Sequence, residues 1–372
     1  MSTFGRHHHR RDIELEGVTL YGQAVAKVRG SLAADPSPVL TDLLVPVLIL
    51  LLYSSSQPET GESQAHVMGL FRLITLSGPK SFQRRPLRDA YNSCRATLVT
   101  VGLLQKRRSF LEEPGWCTVP WALEPQAKTD QDKLVDLLAQ VPGLAETQQA
   151  LRESFDCQRQ HKMINTVLIH VSRLLQWRCK WEVGHPHAAA EVNREHTPST
   201  AFLPSQTHHF LRFSCFSTAV EIALYNAVLI YYLGLIYSEM TAIQARTVVQ
   251  QLATSEDSES NVWLNRALIH PAHCPVTLEG AAVEIVRSFE YQLVHAQHCP
   301  DTPALFWLLP LGLALGILEE DDVMSQWIRT MLDTSIVIRG YGRGKNAFGF
   351  GSYQLPKVDK RIGGYYGQVH IS

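Results

Sequence analysis

Apolar side chains recur at three- and four-residue intervals along most of the chain, the period of one face of an α-helix, and strand-like alternation is scarce. In residues 18–35, Leu20, Tyr21, Ala24, Val28 and Leu32 mark an amphipathic helix, which Asp35-Pro36-Ser37-Pro38 stops. Thr41 or Asp42 can cap a second helix, whose Leu43–Tyr53 run is apolar on all sides and is therefore expected in the interior. Beyond the polar loop SSSQPETGE, its companion spans Ser63–Leu76. The helical spacing returns over Asp89–Leu104, Asp130–Leu137, Glu146–Gln176, Phe210–Ala253 and Leu278–Ala296. No segment repeats at the intervals of a solenoid. The expected fold is all-α, an irregular multi-helix bundle.

The punctuation between these helices divides the chain. Residues 1–17 form a polar, His/Arg-rich extension, and 18–337 form a single large helical domain. Within it, 182–209 (EVGHPHAAAEVNREHTPSTAFLPSQTHH) is polar, Pro-containing and aperiodic, and predicts a long loop between two helical halves. Residues 338–372 are rich in Gly, Tyr and basic side chains, have few aliphatic anchors, and predict a disordered tail. Three runs raise the question of a membrane: Leu43–Tyr53, Ala219–Tyr237 and Ala304–Leu318. The first and third fall short of the roughly 20 residues a bilayer requires, and the second contains Glu221 and Asn226, so all three are read as core helices with no membrane contact.

Composition supports a globular body. Of 372 residues, 45% are hydrophobic and 19% charged, enough apolar material for a large core. A formal net charge of -1 lacks the basic excess of a domain that grips nucleic acid by neutralising phosphates. The seven cysteines, Cys94, Cys117, Cys157, Cys179, Cys215, Cys274 and Cys299, are odd in number and widely spaced, a pattern of free thiols in a reducing compartment. No secretory signal or transit peptide is visible, so nucleus or cytoplasm is expected.

Two His-x-x-His-Cys strings, His270, His273, Cys274 and His295, His298, Cys299, bring together imidazole and thiolate, both good zinc ligands. However, Pro271 and Pro275 put the first in a turn, and His295 ends a predicted helix, where the dipole favours a cation. Helix-end and loop histidines are the expectation, and no metal is assigned. His185, His187, His196, His208 and His209 lack metal-site spacing and are read as loop residues. The tail glycines of GRGKNAFGFG have no strand–helix context for a phosphate cradle. G-x-S-x-G, H-E-x-x-H and a dinucleotide fingerprint are all absent, so no catalytic residue or cofactor is assigned and the balance points away from an enzyme.

From Tyr21 to Trp121 several landmarks coincide with those of a known domain: the apolar helix DLLVPVLILLLYSSS; His66 and Gly69; Gly78, Pro79 and Phe82 in LSGPKSF; Arg95; Lys106–Leu111; and PGWCTVPW with Trp116 and Trp121. With Ala281–Leu293 and Trp307–Leu315, the chain resembles the fungal-specific regulatory domain of zinc-cluster transcription factors over most of residues 20–330. Read as structure, Gly78-Pro79 is a turn that ends a helix, and Trp116 and Trp121 anchor a loop. Arg95, with Lys106, Arg107 and Arg108, is expected on a solvated face or paired with Glu112 and Glu113. The sequence departs from the family in one respect: six thiolates must hold two zinc ions in the DNA-binding cluster, and no cysteine precedes Cys94.

The resemblance implies a nuclear regulator that acts without sequence-specific DNA contact of its own, through protein partners of the transcription machinery or a DNA-binding regulator, through an apolar small molecule, or as a dimer. An alternative is that a zinc cluster is encoded upstream of this sequence. Another is a helical ligand-binding protein or enzyme of secondary metabolism, using Glu221, Tyr225, Glu284 or Glu290 in an apolar pocket.

Overall fold

In the computed structural model, the structure describes residues 9–34, 40–55, 62–193, 209–254, 276–296, 305–318 and 325–328. These hold twelve α-helices and one two-stranded sheet, so the chain is all-α. They pack as two compact units, one built from Met1–Gly102 and Ser109–Ala139, the other from Leu103–Arg108 and Gln140–Leu332.

The first unit opens with α1 (Arg11–Ala34), α2 (Leu40–Ser55) and α3 (Glu62–Ser77). α1 begins inside the stretch read as a polar extension, and Asp12 and Glu14 in its first turn favour the positive end of its dipole. α2 starts at Leu40, so Thr41 and Asp42 lie in its first turn rather than capping it. Nor is α2 interior on all sides. Leu43, Leu44, Val47, Leu50 and Leu51 are buried, mainly against α3, whereas Val45 and Ile49 are exposed: the neighbouring helices α3 and α1 leave part of the α2 surface uncovered, however apolar it is. Tyr21 of α1 stacks on Tyr53 of α2 and shares a 2.6 Å hydrogen bond with His66 of α3, tying the three helices together.

Gly78 ends α3 at φ 70°, a left-handed conformation open to glycine, and Pro79 starts the 3-10 turn Pro79–Phe82. α4 (Leu87–Gln105) follows, then short turns and α5 (Pro114–Thr118). α6 (Asp130–Leu138) closes this unit with a capping box, Thr129 and Asp132 each accepting a backbone N–H of the other.

The second unit contains α7 (Val141–Glu153) and α8 (Cys157–Gly184), which the sequence pattern ran together. Asp156 separates them by capping α8, accepting from the Gln158 and Arg159 amides. α8 buries Met163, Val167, His170, Val171, Leu174, Trp177, Arg178 and Trp181, one side at helical spacing. The stretch read as the loop 182–209 begins inside α8 and contributes β1 (Ala189–Asn193). β1 pairs antiparallel with β2 (His209–Phe213), Ala189 opposite Phe213 and Asn193 opposite His209. Five-residue strands bounded by polar sequence are too short for alternation to stand out. α9 (Phe216–Glu239) is buried nearly all round from Thr218 to Tyr237, and an extended Met240 ends it before α10 (Ala242–Thr254). It is long and apolar enough to cross a membrane, yet its side chains are enclosed by α8, α11 (Leu278–Ala296) and α12 (Leu305–Ile317) within this unit.

Candidate functional site

α9 carries Asn226 in an otherwise apolar wall, and the two helices beside it bring charges to the same depth. Arg178 of α8 donates through Nη1 and Nη2 to Oε2 and Oε1 of Glu284 on α11, at 3.0 and 2.9 Å. Its Nε donates to Glu182 at 2.6 Å, and Asn226 Nδ2 donates to Glu284 at 2.7 Å. Glu284 has no exposed surface. The two-pronged geometry matches the guanidinium fork to both carboxylate oxygens, the arrangement that best offsets the cost of burying the charges. Tyr225 lies under the guanidinium, its ring centroid 5.2 Å from Cζ, and stacks on Trp177. Trp181 Nε1 donates to Glu221 at 2.7 Å.

Three of the four residues considered for acid–base chemistry, Glu221, Tyr225 and Glu284, therefore do meet, around Arg178 and Trp181. The Glu290 side chain lies outside the described residues. The arrangement is unsuited to proton transfer. Both Glu284 oxygens already accept from Arg178 and Asn226, and burial pushes the Tyr225 hydroxyl far above its ordinary range. The positions of Arg178 and Asn226 were not legible as a pair with Glu284, because each is spaced like any polar residue on a helix and only the tertiary packing joins them.

One helix turn before Leu174, His170 packs its ring against Tyr232, and its buried Nδ1 has no partner. Burial, with Arg173 adding a smaller repulsion, lowers its pKa to about 4. The folded state thus binds this proton more weakly than the unfolded chain does. Stability from this residue is full above its ordinary value of 6.5, falls as the pH drops towards 4, and levels below that. His170→Phe should remove on the order of 2 kcal/mol of that acid sensitivity. Urea melts of both proteins at pH 7 and pH 4.5 check this, the stability gap between the two pH values being smaller in the variant.

The first unit has a cluster of its own. Arg95, expected on a solvated face or paired with Glu112 and Glu113, is buried instead, 1% exposed, and ion-paired with Asp136 and more distantly with Asp132 at 3.7 Å. Lys128 pairs with the same Asp136. The α4 periodicity turns Arg95 inward with Tyr91 and Cys94, and α6 answers it with carboxylates four residues apart on one face. The guanidinium lies 5.4 Å from the Tyr91 ring centroid and 4.9 Å from that of Trp121. Phe82 stacks on Tyr91, Trp116 closes the group, and Tyr91 donates to the Trp116 carbonyl at 3.1 Å. Trp116 and Trp121 do anchor the loop between α4 and α6. Burial pushes the Cys94 thiol up to about 12 and that of Cys117 to about 11, so neither is a reactive thiolate near neutral pH.

Of the two His-x-x-His-Cys strings, His270, His273, Cys274, His298 and Cys299 lie outside the described residues, and of His295 only the helical backbone is described. Among the described residues no three His, Cys, Asp or Glu side chains come together as a metal site. Of the loop histidines, His196 and His208 are also outside the described residues, while His185 Nδ1 donates to the Trp181 carbonyl at 2.9 Å and its ring stacks on that of Trp181. Comparison with protein-family models, with curated proteins and with solved structures gave no match.

Proposed function

We propose that the protein is a transcriptional regulator of the zinc-cluster kind without a DNA-reading cluster in this sequence, acting in the nucleus through contact with protein partners. The observation that carries this reading is the convergence of the family-like landmarks. Phe82, Arg95, Trp116 and Trp121 stand on four separate elements between residues 79 and 121, and they meet with Tyr91 in one buried cluster. Landmarks that meet in a core are what a shared fold requires. The buried charges at the two clusters, Arg95 in the first unit and Arg178 with Glu284 in the second, are engaged in internal ion pairs, which supports a scaffold that binds over a catalyst.

Such a regulator changes transcript levels. Deleting the gene in the organism that encodes it, and comparing transcripts genome-wide with those of a complemented strain, should reveal a defined gene set that moves in one direction. Unaltered transcripts, together with loss of a metabolite, would instead assign the chain to ligand or substrate chemistry.

A further inference from the structure

We infer that the outer face of α8 is a docking surface for an acidic amphipathic helix of a partner protein. Between Cys157 and Gly184 the sequence holds Arg159, Lys162, Arg173, Arg178 and Lys180 against one acid, Glu182. Arg178 and Glu182 turn inward and bond to each other. The other four cations stay outside. They fall with Ile169 and Val183 along one side of the helix, at successive steps of three, seven, four, seven and three residues, and all six are exposed. The line covers about 36 Å at 1.5 Å of rise per residue.

None of these four cations makes an ion pair among the described residues. The acids near the start of the helix are otherwise engaged: Asp156 caps it, and Glu239 accepts from Gln148 and Gln160. The chain as a whole carries a net charge of -1, so the stripe is a local concentration and does not reflect a basic composition. Solvated helix faces usually mix signs, because like charges on one face repel and add nothing to the fold. A face of one sign is suited to a partner of the other.

The apolar positions select the class of partner. Ile169, 54% exposed, sits between the two cation pairs, and Val183, 55% exposed, ends the line. A phosphate backbone has no use for these aliphatics, and no aromatic stands on the stripe to stack a base. A helix with Leu and Glu in steps of three and four would lay its leucines on Ile169 and Val183 and its carboxylates against Arg159, Lys162, Arg173 and Lys180.

The inference deepens the regulatory reading and rests on it for its setting, yet the binding is measured in isolation. The probe is a labelled helical peptide of roughly 21 residues, close to the span of the stripe, with Glu and Leu in steps of three and four on an alanine background. Fluorescence polarisation with the full chain should show the ordered peptide binding more tightly than its scrambled counterpart. R173E/K180E should weaken it by at least about tenfold and added salt should do likewise, while I169S should weaken it about threefold. These side chains are exposed, so thermal melts of the variants should match that of the parent. Equal binding of ordered and scrambled peptides, insensitivity to R173E/K180E or to I169S, or tighter binding of a DNA duplex than of the peptide would each overturn the proposal. A peptide that fails to bind while gene deletion alters transcripts removes the surface and leaves the regulatory reading; a peptide that binds while transcripts stay unchanged does the reverse.

Discussion

Arg178→Met should cost about 3–5 kcal/mol, because it strips the partner from a carboxylate that has no exposed surface. Methionine fills much of the arginine's volume, so the loss is electrostatic in origin: Glu284 keeps only the Asn226 hydrogen bond from the network and must take up a proton or admit water. Both lower the stability of the second unit. The companion experiment separates charge from packing. In R178M/E284L the buried pair becomes apolar, Glu182 lies nearer the surface, and most of the lost stability should return. Urea unfolding followed through Trp177 and Trp181, which stand on the same helix, reads the effect where it arises. A double variant as unstable as R178M alone would show that the pair supplies shape rather than charge compensation.

Arg95→Met should destabilise the first unit by about 3 kcal/mol. Asp136 would keep Lys128, so one of its two cations remains, while Asp132 would keep its role in the capping box. What is lost is the guanidinium between the Tyr91 and Trp121 rings, which joins α4 to the tryptophan loop. The loop should loosen before the helices melt. Trp116 and Trp121 emission should shift to the red, and amide exchange across residues 109–129 should accelerate, with α8 and α9 unaffected. Arg95→Lys should recover little, since a compact ammonium cannot reach Asp136 and face both rings in the manner of a planar guanidinium.

The sequence reading and the structure agree where local physics decides the outcome. Runs with a clear 3.6-residue period became helices, and Gly78-Pro79 ended one, because backbone angles and proline's missing amide act within a few residues. Breaks were harder to see. Glu146–Gln176 read as continuous since apolar spacing survives the Ser154-Phe155 interruption, and the Asp156 cap is recognisable as such only once the chain is seen to turn there. The direction in which a helix faces was least legible. Ile49 is as apolar as Leu50, and which is buried depends on where α3 lies. Arg95 and Arg178 look on paper like solvent-facing cations. Their burial follows from Asp136 and Glu284, 41 and 106 residues away in sequence, and no local pattern carries such a pairing.

The candidate chemistry shows the same limit from the other side. Glu221, Tyr225 and Glu284 were singled out as polar groups on apolar helices, and they do converge, but their neighbours turn them into struts. Trp181 takes up one Glu221 oxygen and Arg178 with Asn226 takes up Glu284. The basic stripe of α8, by contrast, was present in the sequence all along at regular spacing. It became conspicuous only when Arg178 and Glu182 were seen to point inward and the remaining cations outward.

The most direct test of the account is to fuse the full chain to an unrelated DNA-binding domain and measure a reporter placed behind that domain's site. The account predicts a several-fold change in reporter output that R178M, by destabilising the second unit, diminishes. Output equal to that of the DNA-binding domain alone, from a fusion shown to be folded and nuclear, would contradict it.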